Sequence, residues 1–422
     1  MNFKQKTVTL LTTFSCFTAL LFAQSPTYID NEECGCDLFF IDGIQKTYKD
    51  GKFGFKRYDG KILAPNIYIE TGHFENGYCK VWLDENNCGI VDTAGREVIP
   101  CKYEDLDAFH EGTVRFQENG RFGFLNADGE KIIPAVYVAA SAFYEGLAVV
   151  AVADTFGQYS YGYINKNNEF EIPPVYDYAM PFTEGVAVVK KYDRYGFINH
   201  QGREVLPIKY ELLGQMQDGF TFAVLNGFAA LIDSKMKNVT PFMYEDMQRI
   251  SEGLCAVKKD SLWGFVNSKG REVVPCMYKT VGGFKDGVAM VCDGTHYGMV
   301  NRRGRIVLPL EYGVAGHRSE AYVMHDGLAM VEKNGKFGFV NRKGKIVIPL
   351  AYNSAYHFTE GMASVKDGNL WGFIDTKGKV VISVRFDVAS FFEYGRAEVV
   401  LNGKVHKIDR NGNCVKNCVD FK

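Results

Sequence analysis

The sequence predicts an all-β protein of about eleven tandem repeats, because one glycine recurs at a fixed period and two further glycines accompany it. The recurring glycine, usually preceded by an aromatic residue, returns about every 34 residues along the 422-residue chain. We call it the anchor of its repeat. The anchors are Gly54, Gly89, Gly123, Gly162, Gly196, Gly264, Gly298, Gly338 and Gly372, and Ala230 and His406 occupy the two remaining places.

A β-hairpin signal follows each anchor. Asn or Asp lies three residues after the anchor in ten repeats, and a second glycine usually lies six after it, as in Asn199 and Gly202. Both residue types tolerate positive φ, so N-x-x-G between two apolar runs is typical of a hairpin turn. Proline lies eleven residues after the anchor in nine repeats and marks an edge or a strand end, because it cannot donate to a ladder.

The third glycine precedes each anchor, by eleven residues in nine repeats, and it follows Asp or Glu in nine repeats, as in the F-x-E-G turn from Phe182 to Gly185. A short apolar run comes next. Each repeat therefore reads as a three-stranded antiparallel meander, rich in β-branched and aromatic residues. No segment has a sustained apolar period of 3.6 residues, so we expect little helix.

Three-stranded repeats predict, as the first choice, an open, superhelical, solenoid-like array in which each repeat packs on its neighbours. The alternative is a closed β-propeller, whose usual limit of about eight four-stranded blades fits eleven three-stranded repeats poorly. The array would occupy residues 40–419 as one domain, after a Cys-containing N-terminal cap at residues 24–39.

Two W-G-F motifs, at residues 263–265 and 371–373, occur together with N-x-x-G-[KR] and V-I-P-x-x-Y patterns. In these motifs the chain resembles the WG-containing repeat family of bacterial proteins, over residues 40–419. The resemblance implies a β-rich array and brings no catalytic residues with it. It is weakest in the repeats of Ala230 and His406.

Residues 1–23 have the pattern of a secretory signal peptide. Lys4 and Lys6 form a basic start, an apolar stretch follows, and cleavage is expected after Ala23. A lipoprotein at Cys16 and an uncleaved anchor, which needs about 20 apolar residues, are the alternatives. We expect cleavage, export to the periplasm, the outer surface or the medium, and no stable membrane span in the mature chain.

Export makes disulfides the first interpretation of the ten cysteines that follow Cys16, with a connectivity that sequence cannot supply. Cys34 and Cys36 precede the first repeat, and Cys414 and Cys418 lie in the last. We therefore expect them to staple the ends of the array, where terminal repeats need caps. Zinc is the minor alternative, because C-x-C and C-x₃-C lack the usual C-x₂-C spacing.

Four further cysteines follow the repeat itself. Cys79 and Cys255 share one repeat position, and Cys101 and Cys276 share another. Recurrence at a repeat position favours small buried residues of the core over metal ligands.

The composition indicates a soluble folded protein, with a net charge of −2, 23% charged residues and 14% aromatic residues, and it gives no reason to expect nucleic acid. Metalloprotease, G-x-S-x-G and P-loop motifs are absent from the sequence. The acidic residue of the F-x-E-G turn recurs in nearly every repeat, so it is expected to build the turn rather than to form a glycosidase pair. We expect a non-catalytic protein without metal or cofactor.

The residue after the hairpin glycine position is basic in eight repeats. If the repeats stack in register, these residues form a line of positive charge. Solvation of turns and protection of edge strands are the ordinary reasons for such lysines, and a stripe for an anionic glycan or an acidic protein is the functional one. The members of this basic line are Lys61, Arg96, Arg203, Lys237, Arg271, Arg305, Lys345 and Lys379.

The aromatic residue before the anchor allows two interpretations. A ladder of exposed rings could stack sugars, whereas exchange among Phe, Tyr and Trp is typical of a core position and favours packing. The residues are Phe53, Phe122, Tyr161, Tyr195, Trp263, Tyr297, Phe337 and Trp371.

Two repeats are longer than the rest, by five residues around 154–161 and by six around 313–322. Loops that depart from a repeat pattern are favoured places for binding, and the first is rich in Tyr and Ser. The candidate contact residues are Phe156, Tyr159, Tyr161, His317, Arg318 and Tyr322.

Two functions of different class remain open. The first is an exported, non-catalytic scaffold that binds an unknown protein partner at the envelope or outside the cell. The second is a carbohydrate or cell-wall binding module, which free aromatic rings before the anchors would favour and burial of those rings would oppose.

Overall fold

The computed structural model describes residues 38–41, 44–57, 59–313, 323–393, 395–416, 418 and 421. These residues form eleven small antiparallel sheets and no helix, so the described chain has no helix long and apolar enough to cross a membrane. Ten sheets have four strands and one has three. The expected signal peptide, Cys34 and Cys36 lie outside the described residues.

Each sheet, here called a blade, is built from strands that are consecutive in sequence. Blade 1 comprises β1 Leu38–Ile41, β2 Ile44–Lys49, β3 Lys52–Arg57 and β4 Ile62–Tyr68, and blade 2 comprises β5 Glu70–Thr71, β6 Tyr78–Asp84, β7 Asn87–Asp92 and β8 Glu97–Tyr103. Blade 3 comprises β9 Asp105–Leu106, β10 Thr113–Glu118, β11 Arg121–Asn126 and β12 Lys131–Tyr137, and blade 4 comprises β13 Ala139–Tyr144, β14 Leu147–Ala153, β15 Tyr159–Ile164 and β16 Phe170–Tyr176. Blade 5 comprises β17 Tyr178–Ala179, β18 Ala187–Lys191, β19 Arg194–Ile198 and β20 Glu204–Tyr210, and blade 6 comprises β21 Leu212–Leu213, β22 Phe220–Leu225 and β23 Phe228–Asp233. Blade 7 comprises β24 Asp246–Met247, β25 Leu254–Lys259, β26 Leu262–Asn267 and β27 Glu272–Tyr278, and blade 8 comprises β28 Thr280–Val281, β29 Val288–Cys292, β30 Tyr297–Asn301 and β31 Ile306–Tyr312. Blade 9 comprises β32 Met324–His325, β33 Leu328–Lys333, β34 Lys336–Asn341 and β35 Ile346–Tyr352, and blade 10 comprises β36 Ser354–Ala355, β37 Met362–Asp367, β38 Leu370–Asp375 and β39 Val380–Phe386. Blade 11 comprises β40 Val388–Ala389, β41 Arg396–Leu401, β42 Lys404–Asp409 and β43 Cys414–Lys416.

The all-β prediction is confirmed, and the architecture is the alternative one, a β-propeller, with eleven blades. The prediction of three strands was wrong for ten of the eleven sheets. A short first strand, often of two residues such as Asp105–Leu106, completes the four-stranded blade that is typical of propellers. This strand is too short to produce an alternating pattern, and its sequence signal is only one buried residue 17 positions after the preceding anchor, as at Leu106.

The anchor glycine allows the third and fourth strands of a blade to approach closely. In blade 7, Trp263 pairs with Tyr278 and Phe265 pairs with Val274, so the register shifts across Gly264. A Cβ atom on Gly264 would lie 2.4 Å from the carbonyl oxygen of Val274. Only glycine fits between the two backbones without moving them.

Blade 6 has alanine at the anchor position, and its strand pairing differs beside that position. Its fourth strand is reduced to isolated bridges, which pair Ala229 with Tyr244 and Ile232 with Asn238, and the sheet keeps three strands. The methyl group of Ala230 requires more room than the anchor position offers in other blades, which accounts for the loosened pairing.

Consecutive blades are joined by pairs of aromatic rings. The residue after the anchor packs against the Phe of the next blade's F-x-E-G turn, at an angle that aromatic rings favour. Both rings are buried in five of the six pairs, and Phe74 of the remaining pair is half-buried, so the pairs belong to the core between two blades. The ring centroids are 5.1 Å apart for Phe55–Phe74, 4.7 Å for Phe124–Phe143, 5.0 Å for Tyr163–Phe182, 4.9 Å for Phe265–Phe284, 4.8 Å for Phe339–Phe358 and 4.9 Å for Phe373–Phe392.

Tyr163 adds a polar bond to this contact. Its hydroxyl donates a hydrogen bond of 2.8 Å to the carbonyl oxygen of Met180 in the next blade. Burial raises the pKa of the Tyr163 phenol well above its usual value, because the phenolate would be desolvated. Tyr163 therefore remains a hydrogen-bond donor at neutral pH.

The cysteines at repeat positions lie in the core or at its edge, as expected. Cys79 and Cys255 are buried, Cys101 and Cys276 are half-buried, and all four are free thiols. Burial raises the pKa of both Cys79 and Cys255 to about 12, because the thiolate would be desolvated. These four cysteines therefore do not support the disulfide interpretation.

We expect substitution of Gly264 by alanine to destabilise the fold, because its Cβ would collide with the Val274 carbonyl. Overpacking of this kind costs about 1–3 kcal/mol. The matched control is Gly283→Ala in the next blade, whose Cβ would be 3.9 Å from its nearest neighbour, on Ser251. The urea midpoint of the purified mature chain should fall for Gly264→Ala only, and equal midpoints for the two variants would contradict the steric account.

Thiol labelling tests the burial of Cys79 and Cys255. A thiol with a pKa near 12 stays protonated at pH 8, and only thiolates react quickly with iodoacetamide. We expect mass spectrometry to find both residues unmodified in the native protein at pH 8 and fully modified in 6 M guanidinium chloride (about that concentration unfolds even very stable domains). Rapid native labelling of Cys255 would show that its blade is open.

Candidate functional site

The strands of each blade run between two faces of the molecule. In blade 7, Leu254 just after the F-x-E-G turn pairs with Asn267 of the N-x-x-G hairpin, and Lys259 pairs with Leu262 at the opposite end. We call the end with the F-x-E-G turns and N-x-x-G hairpins the turn face. The end with the hairpins that join the second and third strands is the tip face.

On the turn face, acidic side chains connect consecutive blades. The carboxylate of one F-x-E-G turn accepts a hydrogen bond from the glycine N–H of the next turn. The recurring acid is therefore structural at these junctions, in agreement with the sequence interpretation. The bonds are Glu111–Gly146 at 3.1 Å, Glu145–Gly185 at 3.1 Å, Glu184–Gly219 at 2.9 Å, Glu252–Gly287 at 2.9 Å, Asp326–Gly361 at 2.7 Å and Glu360–Gly395 at 2.9 Å.

Nitrogen-bearing side chains of the next blade contact some of these turns. Lys166 Nζ donates to the carbonyl oxygen of Glu111 at 2.6 Å, across the boundary between blades 3 and 4. His200 Nε2 lies 3.1 Å from Glu145 Oε2, across the next boundary. These contacts leave the turn carboxylates engaged in holding blades together.

Each N-x-x-G hairpin is closed by its own first side chain. Asn267 Oδ1 accepts hydrogen bonds from the N–H groups of Lys269 and Arg271, at 2.9 and 3.1 Å. The hairpin glycine then lies against the preceding blade: a Cβ on Gly270, where φ is +74°, would be 2.3 Å from the carbonyl oxygen of Val239. The backbone thus builds the hairpin, and the side chains at positions 269 and 271 remain free to face solvent.

All eight members of the basic line are exposed on the turn face. They lie in the hairpins of blades 1, 2 and 5–10, and the same position is Glu130 in blade 3 and Glu169 in blade 4. Arg96 is neutralised by Asp92 of its own hairpin, with 2.7 Å between Nη2 and the carboxylate. The other seven members form no ion pair within the described part of the chain.

The rings before the anchors do not form a free ladder. Seven are half-buried and Trp371 is buried. Cationic side chains lie over several of them, with Lys46 Nζ 4.3 Å from the ring centre of Phe53 and Arg115 4.5 Å from that of Phe122. Covered rings of this kind oppose the sugar-stacking interpretation and support the packing one.

Exposed aromatic rings occur instead on the tip face of blade 4. The long hairpin is closed by Asp154, whose Oδ1 accepts from the N–H groups of Phe156 and Gln158 at 2.8 and 2.9 Å. This places Phe156 at the tip with 94% of its surface exposed, and Tyr159 is 54% exposed. Tyr161, the third candidate in this loop, is half-buried.

Blade 5 extends this group of rings. Tyr192 at the adjacent hairpin tip is 83% exposed, and its N–H donates to Asp177 Oδ2 at 2.7 Å. Tyr178 on the same face lies with its ring centroid 6.1 Å from that of Tyr161, which links the two blades. We call Phe156, Tyr159, Tyr178 and Tyr192 the aromatic tip cluster.

Sequence reasoning missed Tyr178 and Tyr192, because their repeat has the normal length. A signal was present: Tyr192 stands at a tip position where blades 3 and 6 have Asn119 and Asn226, and all three residues have a φ of 51–52°. Asn adopts this conformation more readily than tyrosine, so the backbone of Tyr192 carries about 1–3 kcal/mol of strain. Strained residues of this kind cluster at binding sites.

The second long connection is only partly described. Gly313, where it begins, donates its N–H to the Glu332 carbonyl oxygen at 2.9 Å. His317, Arg318 and Tyr322, the candidates in this loop, lie outside the described residues.

Two further features bear on chemistry. Within the described ranges, no three His, Cys, Asp or Glu side chains are grouped so that they could hold a metal ion. Cys414 and Cys418 lie with their Cα atoms 5.5 Å apart, a separation suited to a disulfide.

Comparison with known families identifies the repeat. The WG containing repeat matches nine segments: residues 89–122, 122–154, 161–195, 195–227, 231–263, 263–294, 297–337, 337–371 and 371–404. These segments cover more than half of the chain, and the chain belongs to the WG-containing repeat family. No curated protein matches it.

Solved structures show only distant likenesses. The extracellular domain of the hybrid two-component system BT3049 from B. thetaiotaomicron is 8% identical, with 89% of this chain and 68% of that chain covered and a TM-score of 0.22. A eukaryotic initiation factor is 9% identical, with 88% and 94% covered and a TM-score of 0.38. BamB from Moraxella catarrhalis is 10% identical, with 66% and 97% covered and a TM-score of 0.27. Such low scores carry no argument about function.

We expect loss of one inter-blade carboxylate to weaken the fold measurably. Glu252→Ala removes the acceptor of the Gly287 N–H, which should cost about 0.5–1.5 kcal/mol. Asp286→Ala is the matched control: Asp286 has the same turn position and a φ of 54°, and its carboxylate makes no hydrogen bond in the described chain. Thermal unfolding should show a lower Tm for Glu252→Ala than for Asp286→Ala, and the reverse order would refute the structural role.

Proposed function

We propose that this protein is an exported, non-catalytic scaffold that binds a protein partner through the aromatic tip cluster. Export is supported by the signal-peptide pattern of residues 1–23. The disulfide-compatible pair Cys414 and Cys418 suits an oxidising compartment. In this proposal the mature chain begins at Gln24, residues 24–39 cap the array and residues 40–419 form it.

The observation that carries the proposal is the exposure of Phe156 and Tyr192, at 94% and 83%, on the tips of adjacent blades. Large aromatic residues supply most of the binding energy at protein interfaces, where a few buried rings dominate. Two such rings held in water by ordered turns have no role in packing this chain. The strained backbone of Tyr192 fits the same role, because strain without a packing benefit points to a functional requirement.

The carbohydrate alternative is weaker in its original form. It relied on a ladder of free rings before the anchors, and those rings are half-buried or buried. Rings that are covered by neighbouring strands and cationic side chains offer no face on which a sugar could stack.

The proposal is tested by retention of the tagged mature chain on isolated envelope fractions, before and after protease digestion of those fractions. The test variant combines Phe156→Ser with Tyr192→Asn. The two substitutions remove both rings. Asparagine stands at this tip position in blades 3 and 6, so Tyr192→Asn also relieves the strained φ. We expect retention to be lost on digestion, and the double variant to bind at least tenfold more weakly, in keeping with about 2 kcal/mol for a dominant contact.

Ile62→Ser serves as the control, because Ile62 is 71% exposed at the start of the fourth strand of blade 1, away from the tips of blades 4 and 5. Equal retention of the double variant and the control would exclude the aromatic tip cluster as the binding surface. Retention that survives digestion would exclude a protein partner.

A further inference from the structure

The N-x-x-G hairpins of blades 6–10 are far more basic than the basic line alone indicates. Five hairpins, at residues 233–237, 267–271, 301–305, 341–345 and 375–379, hold twelve lysines and arginines and two aspartates. All five carry a basic residue at both the fifth and the seventh position after the anchor. We call these twelve residues the basic strip: Lys235, Lys237, Lys269, Arg271, Arg302, Arg303, Arg305, Arg342, Lys343, Lys345, Lys377 and Lys379.

The first half of the array has no such strip. The hairpins of blades 2–5, at residues 92–96, 126–130, 165–169 and 199–203, hold three lysines and arginines and four carboxylates. Asp128 and Glu130 occupy the two positions in blade 3 that are basic in blades 6–10. The charge on the turn face is therefore divided along the array, and ordinary turn solvation does not explain the division.

The five hairpins are neighbours in space. Each hairpin glycine packs against a residue of the preceding blade. That residue comes two or three positions after the last strip residue of the preceding blade in the sequence. A Cβ on Gly304 would be 2.2 Å from the Val273 carbonyl oxygen, and one on Gly344 would be 1.8 Å from that of Val307. The same contact joins Gly270 to the Val239 carbonyl oxygen, and a Cβ on Gly378 would lie 3.2 Å from the side chain of Ile348. The strip is consequently continuous over all four junctions.

The cations of the strip are available to a ligand. All twelve are exposed, and none forms an ion pair within the described ranges. The Asn or Asp at the head of each hairpin bonds to backbone N–H groups, so the turn does not consume the basic side chains, as at Asn341. Twelve like charges in one row repel each other unless counterions or an anionic partner cover them.

The acidic residues nearby do not cancel the strip. On the same face, Glu252, Asp326 and Glu360 accept hydrogen bonds from backbone N–H groups of the next turn. Asp286 and Glu272 are the remaining carboxylates at these repeat positions of blades 7–10. With Asp218 of the blade 6 turn and the hairpin aspartates Asp233 and Asp375, eight carboxylates stand against twelve cations, so the region carries a net positive charge.

We propose that the basic strip binds an acidic polysaccharide laid along blades 6–10. A row of equivalent charge pairs, repeated once per blade, matches a linear polymer whose acidic groups also repeat. An exposed β-branched residue follows the seventh position in three consecutive blades: Ile306, Ile346 and Val380 are 54%, 42% and 49% exposed. Apolar side chains beside charges suit a chain of sugar rings, because each ring has an apolar face as well as polar groups.

This surface is independent of the aromatic tip cluster, which lies on the other face and in other blades. Loss of one activity therefore leaves the other measurable, and the failure of either proposal is distinguishable from that of the other.

The test uses the full mature chain and immobilised polygalacturonate, a polyuronate, with neutral dextran and polyglutamate as comparison polymers. The test variant is Arg305→Gln, Lys345→Gln and Lys379→Gln, and the charge-matched control is Lys49→Gln, Lys102→Gln and Lys209→Gln, three exposed lysines outside the strip. Both variants leave the backbone bonds of the hairpins intact, and equal Tm values would confirm that they fold.

We expect the wild-type chain and the control to bind polygalacturonate in 50 mM salt and to be released by 500 mM salt (concentrations on the order of those over which screening removes exposed-charge attraction). The strip variant should bind at least tenfold more weakly, with a shallower dependence of affinity on salt, because fewer counterions are displaced. Equal loss in the control, equal binding to dextran, or equal or tighter binding to polyglutamate would each overturn the proposal, the last in favour of an acidic protein.

Discussion

The ring-on-ring contact between consecutive blades is the interaction on which the rest of this structure depends. A four-stranded blade of about 34 residues is too small to bury a core alone, so its stability comes from its neighbours. The aromatic residue after the anchor and the Phe of the next turn meet at 4.7–5.1 Å, as Phe265 and Phe284 do, at six junctions. The carboxylate-to-glycine bonds at the rim of the turn face, such as Glu252 to Gly287, then hold adjacent turns in register.

Because these contacts use the same repeat positions in each blade, other positions are free to vary. The hairpins of the turn face are built by an Asn or Asp and, in most blades, a glycine, and their remaining side chains are mostly basic in blades 6–10. The tip hairpins need only residues that tolerate positive φ, and two of them carry exposed rings in blades 4 and 5. An array of this kind can therefore present different surfaces on its two faces without changing its core. We propose that this array holds an acidic polymer on one face and a protein on the other.

The departures from the pattern have local physical causes. Ala230 replaces an anchor glycine, and the fourth strand of its blade is reduced to isolated bridges because a methyl group cannot fit beside the neighbouring backbone. In the last blade, Lys407 follows the anchor position in place of an aromatic residue, and it pairs with Glu398 at 3.3 Å. Thus a change at one repeat position alters one strand or one contact and leaves the adjacent blades intact.

The sequence by itself determined the all-β class, the number of repeats, the two hairpins of each repeat, the core position of Cys79 and Cys255, and the family. All of these follow from local rules, since glycine, Asn, proline and alternating apolar residues act within a few positions of each other. Only the tertiary structure decided the four-stranded blade and the propeller, because a strand such as Asp105–Leu106 pairs through backbone atoms that leave little trace in sequence. It also decided that the rings before the anchors are covered and that Phe156 and Tyr192 lie on the same face of adjacent blades. Exposure and proximity depend on how blades pack, and packing is a property of the whole array.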